Sequence, residues 1–460
     1  MSAPLPLLLD SADLCLATDL YQLTMAAAYE RRRQAGEEEP RATFELWVRR
    51  FPNQRNFLVF AGLDQALAAL QRLRFGAEQL DYLRSLPAFA DVERSFFDTL
   101  AEFRFQGDVR ALPEGTIFFP GAPVMSVHGS FLEAQIVETL LLSIVNFQSS
   151  IASKAARLRL AAGSRARLAE FGGRRAHGPQ AATWAARAAF VGGFDATSNL
   201  LAGQREGIPV VGTMAHSFVM SFQSEVEAFR HYHEVFPQQS ILLVDTYDSL
   251  TGVRRALSTG LPFRGIRLDS GDLGELAREA RQLLDGAGRS DAEIFVSGDL
   301  DERRIAELRA AGAPIDAFGV GTELSTSADA PALSGVYKLV ESFRGGRRLL
   351  HYKGSRGKVS YPGLKQVVRT YVQGVMEHDR VVPAGEREPT AGAGRRLLRA
   401  VMRQGEVIER SSAAEGRRRC LEELETLPLR LRSLEPCRNA PYRVEVDQRL
   451  VEALECLETH

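Results

Sequence analysis

ILLVDT (241–246), GIRLDSGD (265–272), IFVSGD (294–299) and AFGVGT (317–322) repeat one pattern, a short apolar run that stops at a glycine or an acid. The same pattern precedes them in ARLAEFGG (166–173), AFVGGFD (189–195) and IPVVGT (208–213), and helical segments separate the runs. Continuous β-rich runs alternating with helices indicate parallel strands buried on both faces and joined by right-handed crossovers. Seven such units over residues 166–322 suit a closed or nearly closed α/β barrel. An open doubly wound sheet is the structural alternative that strand count does not exclude.

Upstream, FLEAQIVETLLLSIVNFQSSIASKAARLRLAA from Phe131 reads as one long helix to about Ala161, apolar on more than one face as a helix buried between lobes would be. Before it the texture is α+β. TFELWVR (43–49) alternates, residues 103–129 give three short strands divided by Pro and Gly turns, and GLDQALAALQRL (62–73) is an amphipathic helix. DLYQLTMAAAYERRR (19–33) reads as a helix that Asp19 is placed to cap, with arginines near its end. β texture returns in VYKLVES (336–342), RRLLHYKG (347–354) and KVSYPGLKQVVRTYV (358–372). These readings assign an N-terminal α/β lobe to residues 1–145, completed by about 350–380, the barrel to 146–345, and a helical/β, Arg- and Glu-rich extension to 381–460.

The chain has 460 residues, which suggests about three lobes. Its 57 Lys+Arg against 58 Asp+Glu leave a net charge of −1, which argues against a basic nucleic-acid coat or an acidic tail. The 4 cysteines, Cys15, Cys420, Cys437 and Cys456, form no CxxC pair, so a reducing compartment is the simpler reading than a disulfide framework or structural zinc. The apolar PLPLLL patch (4–9) lacks a basic flank and is not expected to be a signal peptide, and the stretch Leu140 to Phe147 is too short to span a bilayer. A cytoplasmic enzyme with no nucleic-acid or membrane partner is expected.

In parallel α/β proteins reactive groups gather at the carboxyl ends of the strands. There the sequence places Arg174 and Arg175, Thr213 with His216 shortly after, Asp245, Asp269, Ser297-Gly298 and Gly319-Val320-Gly321-Thr322. Glycines at strand ends let backbone N–H groups approach an oxyanion, so SGD and GVGT together resemble a phosphate cradle. Arg174 and Arg175 form either a solvated basic loop or a fork for a carboxylate or phosphate. Arg267, inside an apolar run, needs a partner anion, and alternation puts Asp269 on the same face, so a salt bridge between them is one reading and substrate recognition the other. His216 is a candidate nucleophile or acid/base. Asp245, Asp248, Asp269 and Asp272 are candidates for Mg²⁺, with helix capping the bland reading for Asp248 and Asp272.

At these residues the chain resembles the nicotinate phosphoribosyltransferase family. The likeness is carried in order by TDLYQLTMAAAY (18–29), FELWVRRFPNQRNFLVFAGLD (44–64), EFGGRRAHGPQAA (170–182), GGFDATSN (192–199), VVGTMAHSF (210–218), IRLDSGDL (266–273), IDAFGVGT (315–322) and SGVYKLVE (334–341). The resemblance implies an irregular, TIM-like α/β barrel with an α/β lobe built from both chain ends. It also implies transfer of the phosphoribosyl group of PRPP to nicotinate, giving nicotinate mononucleotide and pyrophosphate for NAD biosynthesis. ATP is implied as co-substrate, consumed through a phosphohistidine at His216, with Mg²⁺ as cofactor. It places Tyr21 on the pyridine ring from a partner subunit of a homodimer, Thr213 and Arg267 on nicotinate, and Arg174 or Arg175 near its carboxylate or the phosphates. Ser297, Gly298, Gly319, Gly321 and Thr322 fall on the 5′-phosphate, Asp269 on ribose hydroxyls or a metal-bound water, and Ser360, where relatives often have Thr, keeps the hydroxyl for a phosphate contact. A nicotinamide-using relative is the first alternative, disfavoured because Met214 stands after Thr213 where an acid is expected; VDTYDSLTG (244–252) echoes a type I phosphoribosyltransferase loop only loosely. A non-catalytic scaffold of the same fold is the alternative of another class.

Overall fold

The structure, a computed structural model, describes residues 12–37, 39–52, 54–354, 359–385 and 394–459, so PLPLLL lies outside the described residues. The chain divides into two compact units, one comprising Lys154–Pro331 and the other the residues before and after it.

Lys154–Pro331 holds a six-stranded parallel sheet. Its spatial order is Ala196–Thr197, Arg167–Glu170, Ala317–Val320, Glu293–Val296, Gly265–Leu268 and Ile241–Leu243. Helices Pro179–Val191, Ser249–Ser258, Leu273–Gly286 and Glu302–Ala310 form the crossovers. Register is continuous across the middle, with Phe295 opposite both Arg267 and Ala317. All strands run the same way, so Glu170, Leu268, Val296 and Val320 finish along one edge and the loops after them converge there.

Two of the seven expected strands differ. In AFVGGFD, Phe190 and Val191 end the helix Pro179–Val191, and the strand is only Ala196–Thr197. IPVVGT contributes one parallel bridge, Thr197 with Val210. A buried apolar run of this length has the same pattern at the end of a helix as in a strand. Among the described residues no ladder joins this bridge to Ile241–Leu243, so the barrel is irregular and its hydrogen bonding incomplete.

The other unit is built on a seven-stranded sheet. Strand Arg41–Val48 lies between Gly335–Arg344 and Pro123–Ser130, antiparallel to both, with Trp47 opposite Val336. Phe44, Leu46, Val109, Val127 and Tyr337 form part of its core. Strands from the later chain enter the sheets of this unit. Arg399–Arg403 pairs with Asp108–Ala111, and Arg443–Val446 adds to a second sheet beside Val375–Pro383, because strands this short need ladder partners from the earlier chain.

The expected single helix from Phe131 is two, Phe131–Ile136 and Glu138–Ala162, the first started by a Ser130–Glu133 capping box. By length and composition alone Phe131–Ala162 is long and apolar enough to cross a bilayer, but 67% of its apolar window is buried within the protein, as in a core helix. Asp19 stands at the N-cap of Leu20–Gln34 but makes no capping bond; its carboxylate accepts from Thr139 Oγ1 at 2.7 Å.

Candidate active site

Arg267 organises the carboxyl edge of the parallel sheet. Its Nε donates to Ser297 Oγ (2.7 Å), Nη1 to Thr213 Oγ1 (3.1 Å) and Nη2 to Asp269 Oδ1 (2.8 Å). One planar fork thus joins three loops, a geometry that an ammonium cannot reproduce. Ser297 Oγ also donates to Asp269 Oδ1. The guanidinium therefore already has its anion, and the salt-bridge reading of the pair is the one observed. Its face lies 5.5 Å from the ring centre of Phe171, which stacks on Phe295.

Asp245 fixes the next layer. Its Oδ2 accepts the Asp269 N–H (2.9 Å) and the Ser270 hydroxyl (2.7 Å), holding the LDSG turn against the preceding strand. Asp245 is 8% exposed, and its Oδ1 has no hydrogen-bond partner. Burial opposes ionisation of Asp269, but Arg267, the Ser297 hydroxyl and the nearby His216 outweigh it and hold the carboxyl below the usual range. Asp248 and Asp272 are helix caps, accepting from Thr251 N and from Gly274 and Glu275 N.

His216 begins the short helix His216–Met220, in the segment between the Val210 bridge and Ile241–Leu243. Its Nδ1 lies 3.2 Å from Thr246 Oγ1 and its Nε2 3.8 Å from Asp269 Oδ2. The ring is thus held by one nitrogen, and the other looks toward the carboxylate that Arg267 grips.

The glycines have separate duties. Gly298 has φ +95°, and a Cβ there would sit 2.0 Å from the Asp269 carbonyl oxygen, so only glycine lets the SGD turn lie on the Asp269 turn. At Gly319 the room is taken by Phe171 and Phe295, 2.6 and 2.9 Å from a Cβ, which is a packing role. At Gly321 a Cβ would meet the Phe171 carbonyl, its oxygen at 3.6 Å and its carbon at 3.9 Å, which are ordinary contacts. Thr322 starts the four-residue helix Thr322–Ser325. A polar cleft of ≈ 580 Å³ opens beside these turns, lined by Asp269, Ser270, Gly298, Asp299, Arg303 and Arg304 among others. A more apolar cavity of ≈ 310 Å³, lined by Tyr29, Phe131 and Leu349 among others, belongs to the other unit and holds none of the expected site residues.

Thr213, His216, Asp245, Arg267, Asp269, Ser297 and Gly298 are therefore assembled by direct contacts. Arg174 and Arg175 are exposed and make no ion pair among the described residues, so both charges are available to an anion. Tyr21 and Ser360 belong to the other unit. Tyr21 is 48% exposed on Leu20–Gln34. Ser360 is buried and its hydroxyl accepts the Lys353 N–H at 2.8 Å, so it closes its own loop. Two residues at the end of the strand Arg167–Glu170 had no role assigned from sequence. Phe171 supplies the aromatic face beside Arg267. Glu170, buried, accepts from Thr197 Oγ1 (2.6 Å) and from Gly172 N, and its burial pushes its carboxyl pKa up. The signal was their place at the end of the run ARLAEFGG.

Metal-binding capacity is modest. Among the described residues no group of three or more His, Cys, Asp or Glu converges on one point, while the orphaned Oδ1 of Asp245 offers a single hard oxygen near Asp269. That donor set fits Mg²⁺ held mainly by substrate phosphates and water.

Residues 16–146 match the family model described as nicotinate phosphoribosyltransferase (NAPRTase) N-terminal domain, and residues 166–341 that of the nicotinate phosphoribosyltransferase (NAPRTase) family. The chain is similar to nicotinate phosphoribosyltransferase pncB2 of Mycobacterium tuberculosis, 45% identical over 444 residues, covering 95% of this chain and 92% of the relative. It is 45% identical over 365 residues to nicotinate phosphoribosyltransferase of Bacillus subtilis, covering 77% and 73%. Among solved structures it resembles human nicotinic acid phosphoribosyltransferase, with TM-score 0.82, 31% identity and coverage of 96% and 99%.

Proposed function

The chain belongs to the nicotinate phosphoribosyltransferase family, and from that premise we propose that it joins nicotinate to the phosphoribosyl group of PRPP in NAD biosynthesis, with ATP hydrolysis coupled through a phosphohistidine at His216. The observation that carries the transfer is the Arg267–Asp269–Ser297–Thr213 network at the edge where the phosphate-type turns converge.

Displacement at the ribose C1 builds positive charge there, which the ionised Asp269 carboxylate favours, either directly or through a ribose hydroxyl. Arg267 keeps that carboxylate ionised and in place. The ring nitrogen of nicotinate attacks C1 while the C1–O bond to pyrophosphate breaks, so the base must lie flat and oriented. The Thr213 hydroxyl, held by Arg267, suits that task, and the exposed charges of Arg174 and Arg175 suit the carboxylate of nicotinate or the phosphates. Because Asp269 already neutralises Arg267, preference for nicotinate over nicotinamide rests on those arginines and on Met214, buried where an acid would serve an amide. Mg²⁺, which would take Asp245 Oδ1 and substrate oxygens, supplies neutralisation of the departing pyrophosphate.

With Nδ1 engaged by Thr246, His216 Nε2 is the nitrogen available to attack the γ-phosphorus of ATP, releasing ADP, and Asp269 offsets the imidazolium charge that forms. The exposed Tyr21 ring supports a homodimer in which it completes the partner's site. Four free cysteines support a reducing, cytoplasmic setting.

The test is a product assay with nicotinate and nicotinamide in parallel, with and without ATP, together with γ-labelled ATP. Nicotinate mononucleotide, far better use of nicotinate, and an acid-labile, base-stable label mapped to His216 are expected. Equal kcat/KM for the two bases refutes the substrate assignment. No protein label, with ATP stimulation intact in His216→Asn, refutes the phosphohistidine.

A further inference from the structure

A second charged cluster lies behind the phosphate-type turns, outside the machinery described above. Lys154 Nζ, 1% exposed, is 2.5 Å from Glu302 Oε2, 2.9 Å from Asp329 Oδ1 and 3.5 Å from Glu323 Oε2. Arg157 Nε donates to the other oxygen of Glu302 at 2.8 Å. The acids are not interchangeable. Glu302 opens the helix Glu302–Ala310, immediately after the turn Ser297–Gly298–Asp299–Leu300–Asp301. Glu323 is the residue after Thr322 in the helix that ends the GVGT turn, and Asp329 belongs to the chain that leaves that helix.

Burying an ammonium is costly, and apolar packing commonly gives equal or greater stability in its place. What apolar packing does not give is a fixed distance between particular groups. Here one ammonium draws together three carboxylates that would otherwise repel, and they belong to the segments that follow the two turns. Lys154 contacts all three acids whereas Arg157 contacts Glu302, so removing Lys154 takes away the ammonium that ties Glu323 and Asp329 to Glu302.

We infer that Lys154 is a positioning residue that sets the spacing between the SGD and GVGT turns and thereby the affinity for the phosphoribosyl phosphate, without touching nicotinate. The inference rests on the reading of those turns as the phosphoribosyl site. Lys154 and Glu323 are then required for PRPP binding rather than for folding alone.

The experiment compares the full-length protein with Glu323→Gln and Lys154→Met, measuring the KM for PRPP, the KM for nicotinate, kcat and the thermal midpoint. Glu323, 35% exposed at its side chain, tolerates the loss of charge. Its variant is expected to raise the PRPP KM about threefold to fivefold with the nicotinate KM unchanged. Lys154→Met is expected to raise it roughly thirtyfold or more. A purely structural cluster lowers the thermal midpoint and leaves the PRPP KM of the folded enzyme unmoved, which overturns the inference. If Lys154→Met does not fold, an unchanged PRPP KM in Glu323→Gln overturns it alone. Calorimetric titration of the unaltered protein with PRPP separates the two levels. No binding there overturns the site reading and the inference with it, whereas equal binding by unaltered and variant proteins overturns only the inference.

Discussion

Replacing Gly298 by alanine isolates the contact on which the whole edge depends. The added Cβ would lie 2.0 Å from the Asp269 carbonyl oxygen, whereas ordinary contact begins near 3.4 Å, so the two turns must part by about 1.4 Å, the difference between those values. The neighbour is backbone, not a flexible side-chain tip, and Asp269 is held by Asp245 through its N–H and by Arg267 and Ser297 through its carboxylate. Something in that set must break. The left-handed φ of +95° adds strain of about 1–2 kcal/mol for a residue with a Cβ. Overpacking adds about 1–3 kcal/mol. A displacement of ~1 Å between groups that orient a reaction costs on the order of a hundredfold in rate. Gly298→Ala should therefore lose about two orders of magnitude in kcat/KM and lower the thermal midpoint by roughly 5–10 °C. Steady-state kinetics with PRPP as the varied substrate and differential scanning fluorimetry measure the two. Gly286→Ala, where a Cβ meets nothing within 4 Å, is the control. A Gly298→Ala enzyme within threefold of the unaltered one, at an unchanged midpoint, refutes the close-approach argument.

Gly321→Ala should behave in the opposite sense. The protein accommodates its Cβ, so the midpoint should stay put while the PRPP KM rises about tenfold if a phosphate approaches the backbone there; unchanged kinetics remove Gly321 from the cradle. Asp269 has its pKa depressed in the folded protein, so the stability it contributes is complete above the unfolded value of ~3.9 and is lost as pH falls through the lower folded value. Urea unfolding of the unaltered protein and Asp269→Asn should thus show a stability difference that is constant above pH ~5 and shrinks on further acidification; a difference that grows contradicts the Arg267 pairing.

The parts of this fold legible in sequence were those where local pattern and tertiary role agree. IRLDSGD and IFVSGD are strands followed by turns, as read, because each run is bounded by glycine or acid on a ladder buried on both faces. AFVGGFD misled because the glycine pair that ends a buried helix looks the same as one that ends a strand. The Arg267–Asp269 geometry followed from alternation, but whether the guanidinium awaited a substrate anion or already held one depended on a side-chain distance, which spacing does not encode. Lys154 was invisible for a similar reason. It sits in a long helix that also carries Arg157 and Arg159, so its spacing marks it as one basic residue among several, and its partners at Glu302, Glu323 and Asp329 are brought to it only by the fold.

The strand Arg41–Val48 has one neighbour, Pro123–Ser130, encoded soon after it, and another, Gly335–Arg344, encoded only after all of Lys154–Pro331. On the ribosome, at about 5–20 residues per second, the interval from Ser130 to Arg344 lasts roughly 10–40 s. Before it ends the parallel-sheet unit can be completed, while one edge of Arg41–Val48, the strand that carries Phe44 and Leu46, stands open to wrong pairing. Biosynthesis therefore finishes the inserted unit before the unit that surrounds it in sequence, and the hazard for aggregation lies in the strand that waits, Arg41–Val48, rather than in its late partner Gly335–Arg344.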